Sequence, residues 1–166
     1  MFIFMKKNKK GDIKMADKAI LNCDIDKYPD VVTAKNGSDV LENGAIVALG
    51  GLVDSELGND CYKIEKLTEG CRFGILDSVA LQYDERLDER DYELKASEID
   101  RVRLPHKGLC MTLAKKHFDG VVALGDELEL KADTYKLTKK TTGSVVARVE
   151  ELYNFNGQES VYVSFM

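Results

Sequence analysis

"DCYKIEKLTEG" (60–70) and "DTYKLTKKTTG" (133–143) share six of eleven positions: Asp60/Asp133, Tyr62/Tyr135, Lys63/Lys136, Lys66/Lys139, Thr68/Thr141 and Gly70/Gly143. Upstream, "NGAIVALGG" (43–51) and "DGVVALGD" (119–126) echo each other too. Downstream, "CRFGILDSVAL" and "SVVARVEELY" are apolar stretches of similar length. Each copy therefore reads as a glycine, an apolar strand ending in Val-Ala-Leu-Gly, a Tyr-Lys strand with partial alternation, a glycine turn and a further strand. Glycine suits the turn because it tolerates positive φ. One such unit cannot bury both faces of its sheet, whereas two packed together can close a barrel or sandwich. The expected fold is mainly β, a compact barrel or sandwich from two similar β-units (43–82 and 119–153) within one domain, 41–166.

Further strands are expected at "LCMTLA" (109–114), "ELELKA" (127–132) and "SVYVSF" (160–165). The last alternates and ends the chain, so it is expected at a sheet edge or paired to another subunit. The 166 residues suffice for one ordinary domain, and 44% apolar with 32% charged residues reads as globular. No apolar run approaches the roughly 20 residues of a membrane helix.

The first fourteen residues, "MFIFMKKNKKGDIK", are lysine-rich and aperiodic. They read either as a disordered basic tail or as a translated leader. The codons of "KGDIKM" can contain a bacterial ribosome-binding sequence, which favours a start at Met15. Without those residues the formal charge falls from −5 to −9. So acidic a chain has no general attraction for nucleic acid. Residues 15–40 are expected to form an extended arm, because Tyr28-Pro29 disfavours helix. The stretch "YDERLDERDYELKASEIDR" (83–101) is dominated by charge, with Leu87, Leu94 and Ile99 as a thin apolar stripe. It reads, within 83–104, as a charged connector: a solvated linker or one marginal helix.

No catalytic, cofactor or metal residues are expected. The chain has no GxSxG elbow, phosphate-binding glycine loop or HExxH helix. Asp77 and Ser78 are neighbours on a strand, so their side chains point apart. The carboxylates of "DERLDER" alternate with arginines, as solvated ion pairs do. Cys110, His106 and His117 could supply zinc ligands, but their spacing matches no structural zinc module. Cys23, Cys61, Cys71 and Cys110 form no CxxC pair and read as reduced thiols. A barrel that binds single-stranded nucleic acid would need a basic groove with aromatic platforms. "KLTKK" and "LAKKH" supply lysines, but tryptophan is absent and the tyrosines are scattered.

The order of short motifs along 41–166 resembles that of small structural proteins from the head-gene clusters of tailed phages infecting Gram-positive bacteria, the capsid decoration (auxiliary head) proteins. The matching residues are Asn43, Gly44, Leu49 and Gly50 early, and Tyr83, Asp84 and Glu85 midway. Arg103, Leu104, Lys107 and Gly108 follow, then Gly125, Asp126 and Leu128, then Ala147, Val149 and Glu150. Leu109 stands where such proteins often carry an acidic residue. The resemblance implies a non-enzymatic virion protein on the outer capsid surface, present in host cytoplasm during assembly. Its partners would be the major capsid protein and possible further copies of itself, with no nucleic acid and no membrane. The alternatives are another head, neck or tail β-module, and an OB-like single-strand binder.

Overall fold

The computed structural model describes residues 30–53, 61–78 and 92–166. Tyr83, Asp84, Glu85, Asp60, residues 1–14 and residues 15–29 of the expected arm lie outside them. The fold is mainly β, as expected, with one closed barrel and one second sheet. β1 (Val31–Lys35), β2 (Ile46–Leu52), β3 (Cys61–Glu65), β4 (Phe73–Leu76) and β5 (Ile99–Arg103) close the barrel in the order β1-β3-β2-β4-β5. The β1/β3 pair is parallel; the other four are antiparallel. β6 (Cys110–Ala114), β7 (Phe118–Asp119), β8 (Glu127–Leu130), β9 (Leu137–Lys139), β10 (Ala147–Phe155) and β11 (Gln158–Phe165) form the sheet β6-β11-β10-β8-β9-β7. A 3-10 turn, Lys115–His117, joins β6 to β7.

β2 explains how the two layers meet. Its side chains alternate, yet Ile46, Val47, Ala48 and Leu49 are all buried. Val47 and Leu49 join Ala34, Ile64, Leu76 and Val102 inside the barrel. Ile46 and Ala48 face the opposite way, into a core with Met111, Leu113, Val149, Val161 and Val163 of the second sheet. A strand covered on both faces reads as a continuous apolar run, and "AIVAL" is one. Complete burial of a Val, Leu or Ile side chain stabilises by about 1.5–3 kcal/mol, so this shared strand is a principal tie between the layers.

Four expectations need correction. The two echoes do not adopt equivalent conformations. Tyr62 lies in strand β3, whereas Tyr135 lies in a bend ahead of β9. Gly70 has φ +70°, whereas Gly143 is not among the residues with positive φ. "VALG" is strand in the first copy and loop in the second. The second copy is one residue shorter, and Gly120 and Gly125 both sit at φ +81°, which breaks an extended run. What survives is contact between the copies. The Leu67 N–H donates to the Thr134 carbonyl (3.0 Å), and the Asp133 N–H donates to the Leu67 carbonyl (2.9 Å).

The expected arm, 15–40, contains a core strand. β1 joins β3 to β5, and Ala34 is fully buried. The expected connector, 83–104, ends in β5, which is likewise part of the barrel wall. Ahead of β5, Leu94 is buried and pairs with Leu41, and the Asn36 side-chain amide donates to the Leu94 (3.1 Å) and Lys95 (3.0 Å) carbonyls. Finally, β11 is not an edge strand. The Asn156-Gly157 reversal, both residues at positive φ, folds it onto β10, and β6 pairs along its other side. Strand position follows pairing partners, and the end of a chain can be an interior strand.

Candidate functional site

Of the residues in the motif order read from the sequence, those among the described residues can be located. Asn43 anchors the end of β4: its side-chain amide donates to the Ser78 carbonyl (3.1 Å) and its carbonyl oxygen accepts from the Ser78 N–H (2.8 Å). Gly44 and Gly108 take φ of +87° and +88°. Leu49, Leu128, Ala147 and Val149 are buried. Arg103 is buried beside Asp77, its Nε donating to the carboxylate (2.7 Å), and a second guanidinium nitrogen completes the ion pair. These positions shape the fold; they do not converge on one pocket.

Two regions on the molecule's surface have organised chemistry. The first is a cleft of about 520 Å³ at the seam between barrel and sheet, lined by Asp39, Lys66, Lys116, His117, Tyr135 and Lys136 among others. Its charges are cross-linked. Tyr135 donates to Asp39 (2.9 Å), Lys66 lies 3.7 Å from Asp39, and Lys116 pairs with Glu42. Burial pushes the Tyr135 hydroxyl up to about 12, and its hydrogen bond to Asp39 adds to this. His117 is buried with Nε2 unbonded. Burial first, then the positive charge of Lys116, lowers its pKa to about 3, against an opposing backbone hydrogen bond at Asn43. His117 is therefore neutral at neutral pH, and its Nε2 is sealed from solvent. With Asp39 and Glu42 held by lysine and tyrosine partners, these charges tie the seam together.

The second region is the loop 120–126. Val122 is buried in the shared core, while Val121 and Leu124 are 85% and 70% exposed. The Asp126 N–H donates to the Ala123 carbonyl (3.1 Å), closing a tight turn with Gly125 at positive φ. The Ala123 N–H returns a bond to the Asp126 carboxylate (2.9 Å), and Lys139 pairs with that carboxylate at 2.7 Å. Lys139 first, then the Ala123 N–H, hold the Asp126 pKa below the usual range. Gly125 N–H donates to Val149 (2.8 Å) and Val149 N–H donates to Asp126 (2.9 Å), so two loop residues oppose one on β10, the arrangement of a glycine bulge. Sequence reading missed this loop because "VVALG" looks like a buried strand. The one-residue shortfall against "AIVALGG" and the acidic Asp126 were the only signals.

The three side chains weighed for zinc do not form a site. His117 is buried in the seam, whereas His106 and Cys110 flank the turn into β6. Among the described residues, no three His, Cys, Asp or Glu side chains gather in a metal-binding arrangement. No helix among them is long and apolar enough to cross a membrane. No protein-family model, curated protein or solved structure matches this chain.

Proposed function

We propose that this chain is a structural virion protein that decorates the outer surface of a tailed-phage head and stabilises it, with no enzymatic activity. The observation that carries this reading is the motif order along 41–150, from Asn43-Gly44 to Ala147, Val149 and Glu150. The physical character of the molecule supports it. The barrel interior and the core between barrel and sheet lie on the two faces of β2, which ties the layers into one module. Its acidic charge keeps it dispersed and gives it no general affinity for packaged DNA. A protein that binds the assembled lattice and not its separate subunits stabilises the shell by linkage.

The structure changes how attachment must be tested. Removal of residues up to Ala34 would take most of β1 out of the barrel, so it cannot serve as a clean deletion of an arm. The test is a pair of virion preparations, with and without this gene. The expected result is many copies of the chain in purified particles, and heads that lose DNA sooner under heat or osmotic shock when it is missing. Particles that lack the chain, or heads equally robust without it, would overturn the proposal. Tight binding of single-stranded nucleic acid at physiological salt would favour the OB-like alternative instead.

A further inference from the structure

Asn-Gly occurs three times in the chain, at 36–37, 43–44 and 156–157. The pair is chemically labile, because glycine has no Cβ to keep its backbone nitrogen from the asparagine side-chain carbon. The fold treats the three pairs differently. Asn36 is buried, and its amide donates to the Asp39 (2.6 Å), Leu94 (3.1 Å) and Lys95 (3.0 Å) carbonyls. Asn43 is bonded to Ser78 through both its side-chain nitrogen and oxygen, and the Gly44 N–H donates to the Leu76 carbonyl (2.9 Å). Asn156 is exposed, and its side chain makes no hydrogen bond among the described residues. The Gly157 N–H is held by one exposed partner, the Asn154 side-chain carbonyl (2.7 Å). The surrounding strands differ as well. β6 flanks β11 only from Ser160 onward, and β8 flanks β10 only at Ala147 and Arg148. From Asn154 to Glu159 the two strands therefore pair only with each other among the described residues. A two-stranded end opens at lower cost than a strand held on both sides.

We infer that Asn156 is a site of spontaneous modification, deamidating through a cyclic imide in the folded protein while Asn36 and Asn43 are protected. The Gly157 backbone nitrogen attacks Asn156 Cγ. The new nitrogen–Cγ bond forms, the bond from Cγ to the side-chain nitrogen breaks, and that nitrogen leaves as ammonia with the Gly157 proton. Water then opens the ring. Addition at Cγ gives aspartate; addition at the main-chain carbonyl gives isoaspartate, with one extra carbon in the backbone. Aspartate keeps the turn, since Asp-Gly also accepts positive φ at both positions. Isoaspartate does not, so the reversal that registers Phe155 with Gln158 is lost. Asn154 acts as a brake, because its bond pins the Gly157 peptide plane in the turn, and attack requires that plane to swing toward Asn156.

The test is site-resolved mass spectrometry of the purified full chain, aged in its folded state at mildly alkaline pH. Asn156 should gain one mass unit and split into aspartate and isoaspartate forms. It should do so at least ~10-fold faster than Asn36 or Asn43, whose several hydrogen bonds must first break. In denaturant the three sites should convert at similar rates. Asn156→Gln should abolish the gain at this turn. Asn154→Ala should speed conversion several-fold in the folded chain and leave the denatured rate unchanged. Asn36 or Asn43 converting as fast as Asn156 in the folded chain would overturn the assignment, as would conversion of Asn156 only in denaturant. An unchanged folded rate in Asn154→Ala would overturn the brake.

Discussion

In the barrel, every strand has two neighbours, and β1 closes the ring by pairing with β3 on one side and β5 on the other. In the six-stranded sheet, β6 and β7 end the order, and side chains fix its turns: Asp126 holds 123–126, and Glu129 holds 141–143. The barrel's stability is therefore cooperative and depends on a segment far along the chain from β5. The sheet's loops are fixed locally, one carboxylate at a time. Damage to the first should spread; damage to the second should stay near its site.

The largest effect is expected at β1. Ala34→Asp would bury a charge inside the barrel, where a charge needs a partner to be tolerated. Loss of cooperative folding of the barrel is expected, seen as molten or proteolytically sensitive protein; a normal melting transition would show that the ring does not depend on β1. Next is the buried Asp77/Arg103 pair, which ties the end of β4 to β5. Asp77→Ala alone should cost about 3–5 kcal/mol by leaving the arginine charge unpaired. Replacing both by apolar residues, Asp77→Leu with Arg103→Met, should recover most of that loss in denaturant unfolding.

A third prediction concerns acid. His117 has a folded pKa of about 3 against 6.5 for the free side chain. Its neutral, buried form contributes fully above pH 6.5, and that contribution falls as pH drops toward 3. The loss should reach about 2 kcal/mol by pH 5. His117→Gln should flatten the unfolding free energy between pH 6.5 and 5; an unchanged slope would place the titrating group elsewhere. The smallest effect is expected at Glu129, whose pKa is lowered, chiefly by the Thr141 hydroxyl and also by the Gly143 N–H. Glu129→Gln should speed hydrogen exchange at Gly143 with little change in β1 or β5. Faster exchange throughout the barrel would contradict the local character assigned to these turns.

The strands legible in the sequence were those with clear alternation or a continuous apolar run. β2, β3, β4, β6, β8 and β11 all overlap stretches chosen for that reason. β1 and β5 were hidden for opposite reasons. "VVTAK" is too short to show a period after Pro29, and "IDRVR" sits at the end of a charged run because half of its side chains face outward. The loop 120–126 was misread because an apolar strand and an apolar turn have the same composition; what separates them is the sign of φ at Gly125. The seam was likewise invisible. Asp39 and Glu42 lie far along the chain from Lys116 and Tyr135, and only the packing of sheet on barrel brings the two sets together.

The proposed role puts this module on the outside of a phage head. Electron cryomicroscopy of the particles, with and without the gene, tests it most directly. The expected result is a difference density on the outer shell at repeated lattice positions, into which the barrel and six-stranded sheet fit as one body. Difference density confined to the tail or to the shell interior, or no difference at all, would contradict it.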